Sequence, residues 1–200
     1  FQLITTGKIS QKTFLFENQH LERLQKASRY FAFPFDAEDL RQKIEEECQA
    51  CDLHQDYRLR ISLSKSGEIE IERQVLTPLS SSFCQAKLCQ QEADLQQAFT
   101  YFKTTFRPHL TVGDQEIIYH TAGGKLLETS IGNLVLKMDG KLYTPPSQLG
   151  LLPGIYRQHL LESGKVEEKV LTIEDLAQAE AIYSCNAVRG LYELSVKKEH

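Results

Sequence analysis

Glu128-Thr129-Ser130-Ile131-Gly132-Asn133, followed by Leu142-Tyr143-Thr144 and then Leu152-Pro153-Gly154-Ile155-Tyr156-Arg157, is the stretch that decides how this chain folds. It sets a carboxylate, a pair of short strands and a glycine-opened helix along one span of sequence. A helix opening at Gly154 offers main-chain N–H groups and the positive end of its dipole, which together suit a phosphate. Ile155 and Tyr156 would act through those N–H groups, so their side chains are free to vary. A glutamate, with a reference pKa near ~4.3, is ionised at neutral pH, and Glu128 can therefore hold a proton on a ring nitrogen.

Outward from this stretch, short strands are expected over residues 83–89, 116–120, 134–138 and 141–144. Asp139-Gly140 marks a two-residue hairpin between the last two. The helix from Gly154 should run to about Ser163 and stop at Gly164. Residues 166–171 read as a strand, Thr172-Ile173-Glu174-Asp175 as a capping box with Asp in the place of Glu, and residues 181–186 as a further strand. Toward the N-terminus, residues 1–9 and 13–16 have strand character. Leu21, Leu24, Ala27 and Phe31 recur at helical spacing, so a helix is expected over residues 18–32. Pro34 ends it, and Asp36 is placed to cap a second helix whose inner face carries Leu40, Ile44 and Cys48. Residues 57–63 and 68–74 flank Ser64-Lys65-Ser66-Gly67 as a hairpin. Thr77-Pro78-Leu79-Ser80-Ser81-Ser82 breaks the pattern. The chain thus reads as α+β with two lobes, residues 1–78 and 79–200.

Composition narrows the function classes. The net charge of -4 is small and unclustered, which points away from nucleic acid and from anionic membrane. No apolar run approaches the roughly 20 residues of a membrane span, and the N-terminus does not read as a signal peptide. Five cysteines are an odd number in a chain long enough to bury a core without cross-links, so a reduced, cytoplasmic protein is expected. Cys48-Gln49-Ala50-Cys51 has no second C-x-x-C or histidine pair to complete a tetrahedral metal site, and no metal is expected there.

A phosphate seat and a carboxylate for a ring nitrogen are the parts of a pyridoxal 5'-phosphate (PLP) site, and such a site requires a lysine to form a Schiff base. Lys103 stands out, because Tyr101-Phe102-Lys103-Thr104-Thr105 places it among aromatic residues. The stretch from Glu128 to Arg157 resembles the class IV aminotransferases, PLP enzymes of fold type IV related in fold to D-amino acid aminotransferase; Val135 stands where Phe or Tyr is usual. Lys103-Thr104-Thr105-Phe106-Arg107 resembles the Lys-Thr-Thr-Asn-Arg segment of the aminodeoxychorismate lyase branch, with Phe106 for Asn and Leu110 where Tyr is frequent. Phe31-Ala32-Phe33-Pro34-Phe35-Asp36 is similar to a segment of lyase-like domains fused behind an aminodeoxychorismate synthase component. The resemblance extends from Phe1 to about Leu191.

The resemblance implies a role for each candidate. Lys103 carries the cofactor and Glu128 its ring nitrogen. Arg23, in His20-Leu21-Glu22-Arg23-Leu24, binds the phosphate, as do the Ile155 and Tyr156 N–H groups and the side chain of Asn186 in Cys185-Asn186-Ala187. His20 reads as a packing or hydrogen-bonding residue. Thr6, Arg60 and Arg107 are candidates for substrate contacts, the arginines for a carboxylate. The activity implied is a 4-amino-4-deoxychorismate lyase of folate biosynthesis, releasing pyruvate and p-aminobenzoate from a homodimer functionally linked to aminodeoxychorismate synthase. The alternatives are a branched-chain or D-amino acid transaminase on the same scaffold, or a degenerate PLP-binding protein.

Overall fold

A computed structural model describes residues 1–91 and 97–196 and divides them between two compact units. The first unit is Phe1–Pro78 with Phe102–Phe106, and the second is Leu79–Tyr101 with Arg107–His200. The five-residue piece around Lys103, expected in the second lobe, therefore packs with the first.

The first unit is a four-stranded antiparallel sheet covered on one face by two helices. Its elements are β1 (Leu3–Ser10), β2 (Thr13–Phe14), α1 (Glu17–Phe31), α2 (Ala37–Gln49), β3 (Tyr57–Leu63) and β4 (Ile69–Val75), with the strands in the order β2-β1-β3-β4. Gln11 and Lys12 turn the chain between β1 and β2, both at positive φ, so β2 is shorter than the pattern suggested. Helix α2 begins where the Asp36 carboxylate accepts the N–H groups of Glu38 (2.9 Å) and Asp39 (3.1 Å), two of the donors an uncapped helix leaves unpaired. Leu3, Ile9, Leu59, Ile61 and Leu63 meet Leu21, Leu24, Leu40 and Ile44 in one core. Strand side chains alternate between faces, so Ile4, Thr6 and Lys8 of β1 and Arg58, Arg60 and Ser62 of β3 lie on the face away from the helices.

The second unit is built on eight strands in the order β10-β9-β8-β11-β12-β5-β6-β7. These are β5 (Gln85–Gln90), β6 (Ile117–His120), β7 (Leu126–Thr129), β8 (Asn133–Met138), β9 (Lys141–Thr144), β10 (Glu167–Glu168), β11 (Ala181–Asn186) and β12 (Gly190–Val196). Strand β7 also pairs with β8 through Glu128 and Asn133, so six of the strands close into a ring, and Glu128 sits at the seam. Helices α3 (Gln97–Tyr101), α4 (Ile155–Glu162) and α5 (Ile173–Gln178) complete the unit. The β8–β9 hairpin turns at Asp139 (φ 51°) and Gly140 (φ 72°), the two positive φ values its tight turn needs. The strand expected over residues 166–171 shrinks to the two residues of β10, because Glu167, Glu168 and Lys169 face solvent and only Val166 and Leu171 are buried. Thr172 and Asp175 do form the capping box: the Thr172 hydroxyl accepts the Asp175 N–H, and the Asp175 carboxylate accepts the Thr172 N–H. Val135 has no exposure and packs with Leu160 of α4, a place that a compact β-branched side chain fills.

Candidate active site

In the first unit the lysine segment behaves as an added strand. The Ile4 N–H donates to the Lys103 carbonyl and the Thr105 N–H to the Gln2 carbonyl, each at 2.9 Å, around an antiparallel bridge between Leu3 and Thr104. The Gln2 N–H closes the set on the Thr105 hydroxyl. Leu3 and Thr104 point into the core, so the next pair, Ile4 and Lys103, points to the opposite face. Thr6 and Arg60 are directly paired across β1 and β3 on that same face. Register thus assembles three residues that the sequence offered separately, Lys103, Thr6 and Arg60.

Arg23 comes from α1, one turn beyond His20. His20 has no exposure, and its Nδ1 lies 2.6 Å from the Thr5 hydroxyl. Burial, then the charges of Arg23 and Lys103, push its ring well below the usual histidine range. A neutral His20 therefore packs against Phe14, while the two cations stand close enough to act on it. Gly7 has to be glycine here: a Cβ would come within 2.5 Å of His20 Nε2.

In the second unit Glu128 is 4% exposed, deep enough that its charge needs compensation. Its Oε1 faces the Leu152 N–H at 3.4 Å, and its Oε2 lies 3.7 Å from Nη2 of Arg107. Arg107, expected at a substrate carboxylate, lies beside the carboxylate of Glu128. Burial lowers its pKa, and the Glu128 charge works the other way. His109, two residues on, is also buried; burial first and Arg107 second push it down to about 4.

Across the seam from Glu128, Asn133 donates from Nδ2 to the Leu152 carbonyl at 2.8 Å. Its Oδ1 lies where a Cβ on Gly154 would be, only 2.0 Å from that position. Gly154 is the N-cap of α4 and makes no side-chain cap hydrogen bond to the first turn, which carries Ile155 and Tyr156. The buried carboxylate and the helix start are joined through Asn133 and Leu152. Asn186, expected on phosphate, has protein partners for its side chain. Its Oδ1 accepts the N–H groups of Val188 (3.0 Å) and Arg189 (2.8 Å), and its Nδ2 donates to the Ile131 carbonyl at 3.3 Å. The amide shapes two turns.

The structure also draws attention to residues that pattern reading passed over. Glu116 directly precedes β6 and Asn133 begins β8, and only the tertiary pairing shows what their side chains hold. Cys48 and Cys51 are buried free thiols, and burial pushes Cys48 up to about 11. Among the described residues, no group of three or more His, Cys, Asp or Glu side chains could hold a metal ion, and no helix is long and apolar enough to cross a membrane.

These parts fit PLP. Glu128 is a buried carboxylate that reaches the Leu152 N–H, and two residues beyond Leu152 α4 starts at Gly154, where a side chain would collide with Asn133. Comparison with known proteins agrees. The chain is 26% identical over 196 residues to the aminodeoxychorismate lyase of Saccharomyces cerevisiae, covering 72% of this chain and 52% of that one. It is 29% identical over 90 residues to a proposed branched-chain-amino-acid aminotransferase of Thermotoga maritima, covering 42% and 33%. A crystal structure of a proposed amino-acid aminotransferase from Mesorhizobium loti superposes with a TM-score of 0.84 at 26% identity, over 98% of this chain and 99% of that one. The chain spans about a third to a half of the length of the curated relatives it matches. The family profile described as amino-transferase class IV matches residues 2–195, and the chain belongs to that family of PLP-dependent enzymes.

Proposed function

We propose that the chain is a cytoplasmic 4-amino-4-deoxychorismate lyase, releasing pyruvate and p-aminobenzoate for folate synthesis. The observation that carries this reading is the sheet face on which Lys103 lies with Thr6 and Arg60: a nucleophilic amine shares one surface with a guanidinium suited to a carboxylate, and the substrate has two carboxylates. The Lys103-Thr104-Thr105 and Cys185-Asn186-Ala187 segments and the yeast relative support the lyase branch.

When bound, PLP supplies the electron sink for the pair left behind when a substrate carbon loses its proton. The residues do the rest. The Lys103 amine would hold the cofactor at its aldehyde carbon and, as a free amine, would take the proton from the substrate carbon that bears the amino group. Glu128 holds a proton on the ring nitrogen. The Ile155 and Tyr156 N–H groups and the Arg23 guanidinium hold the phosphate. Arg60 anchors a substrate carboxylate and Thr6 offers a hydroxyl beside it. Loss of the enolpyruvyl group, protonated as it leaves, yields pyruvate and the aromatic amine. A homodimer acting after aminodeoxychorismate synthase is part of the same proposal.

Transamination is the second reading, favoured by the Thermotoga and Mesorhizobium proteins. The two differ in stoichiometry. A lyase restores its lysine in every cycle, whereas a transaminase needs a keto acid to turn over again. With aminodeoxychorismate alone, p-aminobenzoate should form in many-fold excess over enzyme. Product that stops at one equivalent, or requires added keto acid, replaces the lyase with a transaminase. PLP-loaded protein that does neither is a degenerate binding protein.

A further inference from the structure

Glu116 has no solvent exposure, yet no role in the chemistry above involves it. Its carboxylate accepts three hydrogen bonds. Oε1 takes the Ser130 hydroxyl at 2.7 Å and the Ile131 N–H at 3.1 Å, and Oε2 takes the Tyr192 hydroxyl at 2.8 Å. Two of these donors belong to the turn at residues 130–132, which carries the chain from Glu128 on β7 to Asn133 on β8.

The same turn is tied from other sides. The Gly132 N–H donates to the Thr129 hydroxyl, which meets the Ser184 hydroxyl at 2.7 Å. Burial, and then Glu116, push the Tyr192 phenol above its ordinary value, so it remains a neutral hydroxyl. Gly132 passes so close to β11 that a Cβ would come within 2.5 Å of Ser184 Oγ. The Ile131 carbonyl receives Asn186. The turn is therefore a hub: Glu128 leaves one end, Asn133 leaves the other and grips the start of α4, and Asn186 hangs from its middle.

We infer that Glu116 is a positioning residue that locks this turn and so fixes the ring-nitrogen carboxylate relative to the phosphate-binding start of α4. A buried anion with three donors suits the task, since hydrogen bonds to charged acceptors are the strong ones and a buried network is rigid only when all its members are satisfied. This inference rests on the cofactor reading above.

The test uses PLP as the probe on the full chain, with dissociation constants from absorbance titration, the spectrum of the bound cofactor, and the melting temperature of the PLP-free protein. Glu116→Gln retains an oxygen for Ser130 and Ile131 but loses the charge. It should weaken PLP binding by about tenfold and alter the bound spectrum, while the PLP-free protein melts close to wild type. Asn186→Ala acts through the same turn, so the double variant should bind far more tightly than the product of the two single losses predicts. Tyr192→Phe removes one of the three donors and should show a smaller loss of the same sign, which decides the matter if Glu116→Gln fails to fold. Wild-type affinity and spectrum in folded Glu116→Gln, or losses that multiply with Asn186→Ala, overturn the inference alone. Wild-type protein that takes up no PLP overturns the cofactor reading, and the inference with it.

Discussion

Lys103 and Glu128 are held by different kinds of bond. The lysine segment is tied by main chain, through the Ile4–Lys103 and Thr105–Gln2 bonds, with one hydroxyl added. The carboxylate stands at a seam where the main-chain pairing of β7 is reinforced by side chains: Asn133 on Leu152, Glu116 and Thr129 on the turn, Asn186 on Ile131. Main-chain pairing tolerates a change of side chain, because the bonds are common to every residue but proline. Side-chain networks do not. This accounts for Phe106, which replaces the usual Asn: its side chain is 47% exposed, and its links to the strand are main-chain ones, the N–H donating to the Thr104 hydroxyl and the carbonyl accepting from it. Substitution tolerance should therefore be high around Lys103 and low around Glu128, apart from the reacting groups themselves.

The largest effect tests the exception. Lys103→Ala should leave the fold intact, since only a side chain on the polar face is lost, yet abolish borohydride-fixed cofactor and reduce turnover by roughly a thousandfold or more. Peptide mapping that finds the adduct on another lysine would refute the assignment. Next comes Glu128→Gln, nearly isosteric but unable to balance a charged ring. PLP should still bind, and turnover should fall by at least about tenfold, the equivalent of ~1.4 kcal/mol in the barrier. Unchanged kcat would remove Glu128 from its role.

A pH scan sharpens the contrast further. His109 in the second unit is pushed down to about 4, and His20 in the first lies well below its ordinary value, both chiefly through burial. The unfolded chain takes up these protons near pH ~6.5 while the folded chain refuses them until lower pH, so stability falls as pH drops through that window. For His109 the loss by pH 4 is on the order of 3 kcal/mol. Chemical denaturation of His109→Gln should show a flatter dependence between pH 7 and 4; an unchanged slope would mean that His109 is not buried in the neutral form. Smallest is Thr172→Ala, which removes one arm of the capping box on α5. It should cost about 1 kcal/mol, seen as a melting temperature lower by ~2–4 °C, with PLP affinity unchanged.

Local chemistry explains what was legible in the sequence. Asp36 before α2, Asp139-Gly140 between β8 and β9, and Thr172 with Asp175 each settle their own geometry with neighbours a few residues away. The helix opening at Gly154 could be read because Leu152-Pro153-Gly154 carries its own stop and start. Long-range pairing was not legible. Nothing near Lys103 shows that it packs with β1, because its partners are Gln2, Leu3 and Ile4. Asn186 reads as a phosphate ligand because an amide can serve one; its bond to the Ile131 carbonyl, 55 residues away, is visible only in the fold. Strand β7 and the role of Glu116 depend on ring closure, which no window of sequence contains.

The added strand at Lys103 also has a kinetic meaning. Gln2 and Thr105 are 103 residues apart in sequence. Bringing together ends so distant costs roughly 4 kcal/mol of chain entropy before any contact forms, and structure with such separations assembles late. Helices α1 and α2, whose contacts are local, can form well before the lysine reaches its sheet. During refolding in the presence of PLP, helical signal should therefore return ahead of covalent cofactor capture, and the chemistry would report on the last segment to find its place.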